Sequence, residues 1–438
     1  MARPHPRLVH NNTDQRRNAM PILPSWRQTC LGLTLAAAAL CGHAAPSPLL
    51  DASHPVNWWF AFKFNAASFP GCGGGAAVNS CQFGGNPQTY TSGSSYSQQY
   101  IYASSSQPSL SQGDGCVGDT QADPVGATFG QIYNGTLNYV VWNDQFYGDP
   151  AIASCSGDAC DAPWGHSKGV LAWDAQGNGV VMQVSTPSWP ASGNAQYPRT
   201  SDGNTLGCVA DNDVEVSQHF FSLKLSHADV LAVLQGLANA SVVTDPGNPQ
   251  IVQNGGPADI QSAVSQLGQK SGSKTPQVSK LSSGVTLISK PSALHVAPWQ
   301  LVSAEMGGIA LRAATWWESS KSYAIPTTTQ SGAPACWDSS LPTPGPVAIA
   351  TSGSWQGQTF SLKGGLGKNY NHAKIGVSTS GGTAYAIFGD MNQEGALSGN
   401  CASAQNGRGG LFFALPNAAL AQSIGKLIGG STAAAAAR

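Results

Sequence analysis

Apolar residues along the chain gather in short alternating runs rather than in long helical stripes. The runs "VNWWFAFKF" (56–64), "SQQYIYAS" (97–104), "TLNYVVWND" (136–144) and "QHFFSLKLS" (218–226) each predict a strand. So do "GIALRAATWW" (308–317), "AYAIFGD" (384–390) and "GGLFFAL" (409–415). Helical spacing is rarer. Ser226 with Asp229 three residues on reads as a cap ahead of Val230, Val233, Leu234 and Leu237. Pro416 and Asn417 open a second helix, with Leu420, Ile424 and Leu427 on one face and Gly429 at its end. "APWQLVSAEMGG" predicts a third. Strands outnumber helices, so the fold class is mixed α/β.

Two stretches of equal length echo one another: "HSKGVLAWDAQGNGVVMQVST" (166–186) and "HAKIGVSTSGGTAYAIFGDMN" (372–392). Each has His-x-Lys, an apolar strand, a Gly-containing turn and a second apolar strand. Repeats so widely separated predict two similar lobes, each giving one edge of a shared site. The expected division is an N-terminal lobe over 46–245, a junction or surface loop over 246–295 where the chain turns polar, and a C-terminal lobe over 296–428. The low-complexity tail 429–438 is expected to fray.

Composition adds a compartment. Charged residues are only 10 % of the chain, while Gly and Pro reach 52 and 28 of 438, which suits a loop-rich exported protein. Arg16, Arg17 and Arg27 precede the apolar run "LGLTLAAAALCGHAA", so residues 1–45 read as a signal peptide, with Met20 as an alternative start. The run is too short to span a membrane. Removing it takes five arginines and one aspartate, leaving 16 basic and 21 acidic side chains and a charge of −5. Eight cysteines then remain: Cys72, Cys81, Cys116, Cys155, Cys160, Cys208, Cys336 and Cys401. An even count after an export signal favours disulfides over zinc, and no Cys-x-x-Cys pair exists.

The chemistry lies in His166 with Lys168 and His372 with Lys374. On a strand, residues two apart share a face. One such pair recurs by chance, but two opening similar hairpins seldom do. Together they meet the needs of metal-free phosphodiester cleavage. One imidazole attacks phosphorus, the other protonates the leaving oxygen and then activates water, and the lysines hold the non-bridging oxygens.

The His-x-Lys repeat resembles the phospholipase D superfamily, whose motif adds an Asp after Lys. Here Asp174 lies one residue beyond that spacing and no Asp follows Lys374 in register. The departure points to one branch, deoxyribonuclease II, whose motifs "GHSKGVL" (165–171), "NHAKIGVS" (371–378) and "GDMN" (389–392) resemble. So do "PVNWWFAFK" (55–63), "WNDQ" (142–145) and "GRGG" (407–410), and the likeness spans roughly 50 to 425. The resemblance implies a metal-independent acid endonuclease on DNA that leaves 3′-phosphate and 5′-hydroxyl ends. It also implies two phospholipase-D-like lobes related by a pseudo-two-fold, sheets flanked by helices, with the site in the cleft between them. Animal members carry a His where this chain has Gln183. By analogy with the superfamily, His166 is the nucleophile and His372 the general acid; the residues themselves give little to choose between the two.

Asp390 and Asn392 close the second hairpin, as support for the histidines or as a structural cap. Asn143 and Asp144 end a strand, for loop hydrogen bonding or for substrate. Asp174 reads as a turn residue, Trp58, Trp59, Trp316 and Trp317 as core, and His54, His219, His227 and His295 as ordinary. No cofactor or metal is expected, DNA is the expected partner, and a homo-oligomer is left open. The expected location is secreted or periplasmic. Another phospholipase-D-like phosphodiesterase and a non-catalytic secreted binding protein are the competing readings.

Overall fold

The computed structural model describes residues 45–73, 83, 95–118, 120–152, 155, 160–187, 189–190, 192–199 and 214–436. The expected leader up to residue 44, Cys81 and Cys208 lie outside them. Ala45–Arg438 is one compact unit.

Ten strands and four helices carry its architecture. The first set is β1 (Trp58–Lys63), α1 (Pro124–Tyr133), β2 (Asn138–Asn143), β3 (Lys168–Trp173), β4 (Gly179–Val184), β5 (Gln218–Leu225) and α2 (His227–Asn239). The second is β6 (Thr286–Lys290), α3 (Pro298–Glu305), β7 (Leu311–Ala314), β8 (Ile375–Ser378), β9 (Tyr385–Gly389), β10 (Gly410–Pro416) and α4 (Ala418–Leu427). In space the first set runs β2-β3-β4-β5-β1 and the second β7-β8-β9-β10-β6, every neighbour antiparallel. The chain therefore builds the same sheet twice, in the same order. Short strands extend the edges, giving eight strands in one sheet and seven in the other.

β1, β3 and β4 are buried along their whole length, which is why apolar residues fill nearly every position of them. Between the sheets Phe388 stacks on Phe60 and on Phe221, with centroids 4.8 and 4.3 Å apart, and Phe413 adjoins Phe221 at 5.7 Å. Helix starts follow local chemistry. Ser226 and Asp229 form a capping box on α2, and Asn417 accepts from the Leu420 amide at the start of α4. In α1, Asp123 accepts from the amides of Val125 and Gly126.

Two expectations change. Residues 246–295 are not loop alone: they hold a helix at Ala258–Val264, strands at Val252–Gln253 and Gln277–Lys280, and β6 itself. Gln277–Lys280 is an edge strand with alternating half-exposed and exposed residues, so its polarity hid it. The tail is pinned rather than frayed. The Ala433 amide donates to the Ile349 carbonyl and that of Ala436 to Thr327.

Candidate active site

β3 and β8 are equivalent strands of the two sheets, and each begins at a His-x-Lys pair. His166, Lys168, His372 and Lys374 all line one cavity of about 460 Å³, with Asn392 on its wall. His166 is half-buried, whereas His372, Lys168 and Lys374 are almost fully enclosed. Each histidine feels the lysines of both pairs electrostatically.

The Nδ1 atom of His166 lies 2.8 Å from the Asp390 carbonyl. A carbonyl only accepts, so Nδ1 carries the proton and Nε2 keeps its lone pair. His372 is held the other way, with Nε2 donating to the Gly365 carbonyl at 3.1 Å, and its ring packs 4.6 Å from that of Trp316. Burial lowers both histidines well below the ordinary imidazole value, Lys168 adding most to this at His166 and Lys374 at His372.

Asp390 sits behind the cavity, fully surrounded. Its carboxylate accepts from Ser167 Oγ at 2.5 Å, Leu411 N at 2.9 Å and Gln183 Nε2 at 3.0 Å. Ser167 points away from its His and Lys neighbours, as strand alternation requires, and accepts in turn from Trp142 Nε1. A single acid thus ties β3, β4 and the start of β10 together while its own carbonyl orients His166. Burial pushes its carboxyl up to about 7 despite those donors.

The two lysines differ. Lys168 Nζ is bound to Asp144 Oδ1 at 2.6 Å, and the other Asp144 oxygen takes Arg408 Nη2 at 2.9 Å. Arg408 also donates to the carbonyls of Cys160, Trp164 and Gly165. Burial alone would raise Asp144, but Lys168, His166 and Arg408 outweigh it and hold it well below the carboxylate range. Lys374 forms no direct ion pair among the described residues; burial, then Lys168, brings it down to about 7. Of the two motif lysines, it is the one left open to an anion.

Several residues here carried no chemical role in the sequence. Arg408 lies in "GRGG", where Gly409 is needed because a Cβ would stand 2.0 Å from the Ala240 carbonyl. Glu394 lines the cavity with Oε1 unpartnered among the described residues, and burial pushes it up to about 7. His219, read as ordinary, is buried on β5 and accepts from the Lys374 amide through Nδ1 at 3.1 Å. Asp174 is the turn residue expected, its carboxylate capping the amides of Gln176 and Asn178. Among the described residues no group of three or more His, Cys, Asp or Glu is arranged to hold a metal. Bridges join Cys72 to Cys116, Cys155 to Cys160 and Cys336 to Cys401.

Among curated proteins no match to the chain is found. The family model for Deoxyribonuclease II matches residues 49–432, nearly the whole chain and every residue of the cavity. The chain belongs to the deoxyribonuclease II family and is a nuclease, a phosphodiester hydrolase.

Proposed function

We propose that the protein is an exported endonuclease that cuts DNA without a metal ion, through a phosphohistidine, to 3′-phosphate and 5′-hydroxyl ends. The observation that carries this reading is the convergence of both His-x-Lys pairs on one cavity. Each sheet with its helices is read as one phospholipase-D-like lobe and the cavity as the cleft they share. Three disulfides among the described residues fit an oxidising compartment and so support export.

In the proposed reaction Nε2 of His166 attacks phosphorus and the bond from phosphorus to the 5′-oxygen breaks. His372 gives its proton to that oxygen. Water then attacks the phosphohistidine as His372 takes a proton back, releasing the 3′-phosphate and restoring His166. The lone pair on His166 Nε2 in the resting site supports its part as nucleophile. Lys374 meets the non-bridging oxygens, with Lys168 held beside it by Asp144. Asp390 and Asn392 are supporting residues, Asp390 through its carbonyl on His166.

Plasmid digestion at pH 5 in EDTA, followed by end-group analysis, tests the proposal. Nicked and linear products with 3′-phosphate ends are expected. Cleavage that needs added magnesium, or 5′-phosphate ends, would overturn it.

A further inference from the structure

Two lysines outside the cavity repeat a single arrangement. Lys63 ends β1 and Lys290 ends β6, the equivalent strands of the two sheets. Both are fully buried. Lys63 Nζ donates to the carbonyls of Val216 at 2.6 Å, Ser97 at 3.1 Å and Phe64 at 3.2 Å. Lys290 Nζ donates to those of Leu294, Arg408, Asn406 and Pro291, at 2.7, 2.8, 2.9 and 3.3 Å. An ammonium is costly to bury, and carbonyl dipoles here stand in for its water.

What those carbonyls adjoin is informative. Val216 precedes Ser217, whose carbonyl receives the backbone amide of His372 at 2.8 Å. Arg408 precedes Gly409, whose carbonyl receives the backbone amide of His166, also at 2.8 Å. In both cases the lysine belongs to one sheet and the histidine to the other. A lysine that merely filled a core could cap any loop. These two cap the residue next to the opposite histidine's anchor, twice, at matching places.

We infer that Lys63 and Lys290 are crossed positioning residues: Lys290 fixes the segment that holds His166, and Lys63 the segment that holds His372. The inference rests on the proposed reading of the two histidines as the reacting groups. The lysines touch no substrate. They set where the histidine backbones lie, and near-attack geometry is sensitive to shifts of an ångström or less.

Histidine-ring nitrogen NMR of the substrate-free mature chain tests the inference without any assay. Lys290→Met is expected to move the ring signals of His166 and leave those of His372 in place, and Lys63→Met the reverse. Because Lys63 is among the charges that lower His372, its removal is also expected to raise the His372 titration midpoint. On DNA each variant is expected to lose about ten- to a hundredfold in kcat with KM within about threefold, the loss given by a misplaced reacting group. Lys290→Gln and Lys63→Gln keep two N–H donors and are expected to recover part of kcat. Variants that perturb the histidine of their own sheet, or neither histidine, would overturn the inference. So would glutamine variants that fail to fold, since the lysines would then be struts of the core. Wild-type protein with no activity on DNA would instead sink the nuclease reading while leaving the NMR result to stand.

Discussion

Lys168 Nζ stands 2.6 Å from Asp144 Oδ1, so the cation of the first His-x-Lys pair is neutralised before any substrate arrives. The second pair has no such partner among the described residues. Two motifs alike in sequence therefore present unlike electrostatics, with Lys374 the stronger attractor for a phosphodiester.

Asp144→Ala is expected to destabilise the fold by about 3–5 kcal/mol, the usual cost of stripping one partner from a buried ion pair. It leaves Lys168 without its counter-charge and Arg408 with carbonyls alone. Urea denaturation measures this, and a loss under about 1 kcal/mol would mean that water reaches Lys168.

His166→Ala and His372→Ala are each expected to lose several orders of magnitude on DNA, but a good leaving group should separate them. With p-nitrophenol in place of the 5′-oxygen the first step needs no proton, so His372→Ala should still release a burst of about one p-nitrophenol per site before stalling as the phosphohistidine, and His166→Ala none. The opposite pattern would exchange the two roles.

The rate is expected to peak on the acid side of neutrality, between roughly pH 4.5 and 6 on reference values. His372 must be protonated and His166 neutral, and the fold lowers both. Lowering His372 moves the alkaline limb down, and lowering His166 keeps the nucleophile active further into acid. Lys374 adds to the alkaline fall, since it loses its charge near pH 7. A pH–rate profile of kcat checks this; a plateau extending to pH 8 would contradict it.

Glu394 carries a stability prediction. A carboxyl raised from 4.5 to about 7 in the fold stabilises the native state below its unfolded value, and that contribution is lost as pH climbs through 7. Glu394→Gln should therefore match wild type near pH 4 and exceed it at pH 8. The expected excess is about 1–3 kcal/mol, since each tenfold change in proton affinity is worth about 1.4 kcal/mol. Denaturation curves at the two pH values test it, and equal differences at both would show that Glu394 titrates normally.

The Cys336–Cys401 bridge spans 65 residues, and chain entropy assigns such a loop about 4 kcal/mol. Replacing both cysteines by alanine should lower the melting temperature while the site keeps its activity at 25 °C. Loss of activity without loss of stability would place the bridge in the site's own support.

What was legible in the sequence was whatever is local. The two hairpins with His166, Lys168, His372 and Lys374, the caps Ser226 and Asn417, and the apolar run of β1 each announce themselves within a dozen residues. Helix α1 did not, because Gly126 and Gly130 weaken its pattern. Gly126 is there for room, as a Cβ would lie 1.8 Å from the Thr120 carbonyl. The surroundings of the histidines were hidden for another reason. Asp144, Arg408, Glu394 and His219 come from segments far apart in the chain, and only the pairing of strands brings them together. Strand alternation turns Ser167 away from His166 and Lys168, but nothing local says that Asp390 waits there.

The hydrogen bond from His166 to Asp390 crosses 224 residues of chain, and its backbone anchor at Gly409 lies further on still. A growing polypeptide cannot complete the cavity until nearly the last strand has been made. Any chain halted before Asp390 has its first histidine but neither of the carbonyls that hold it. The order of the sequence thus makes an aimed His166 one of the last features of the fold to be completed.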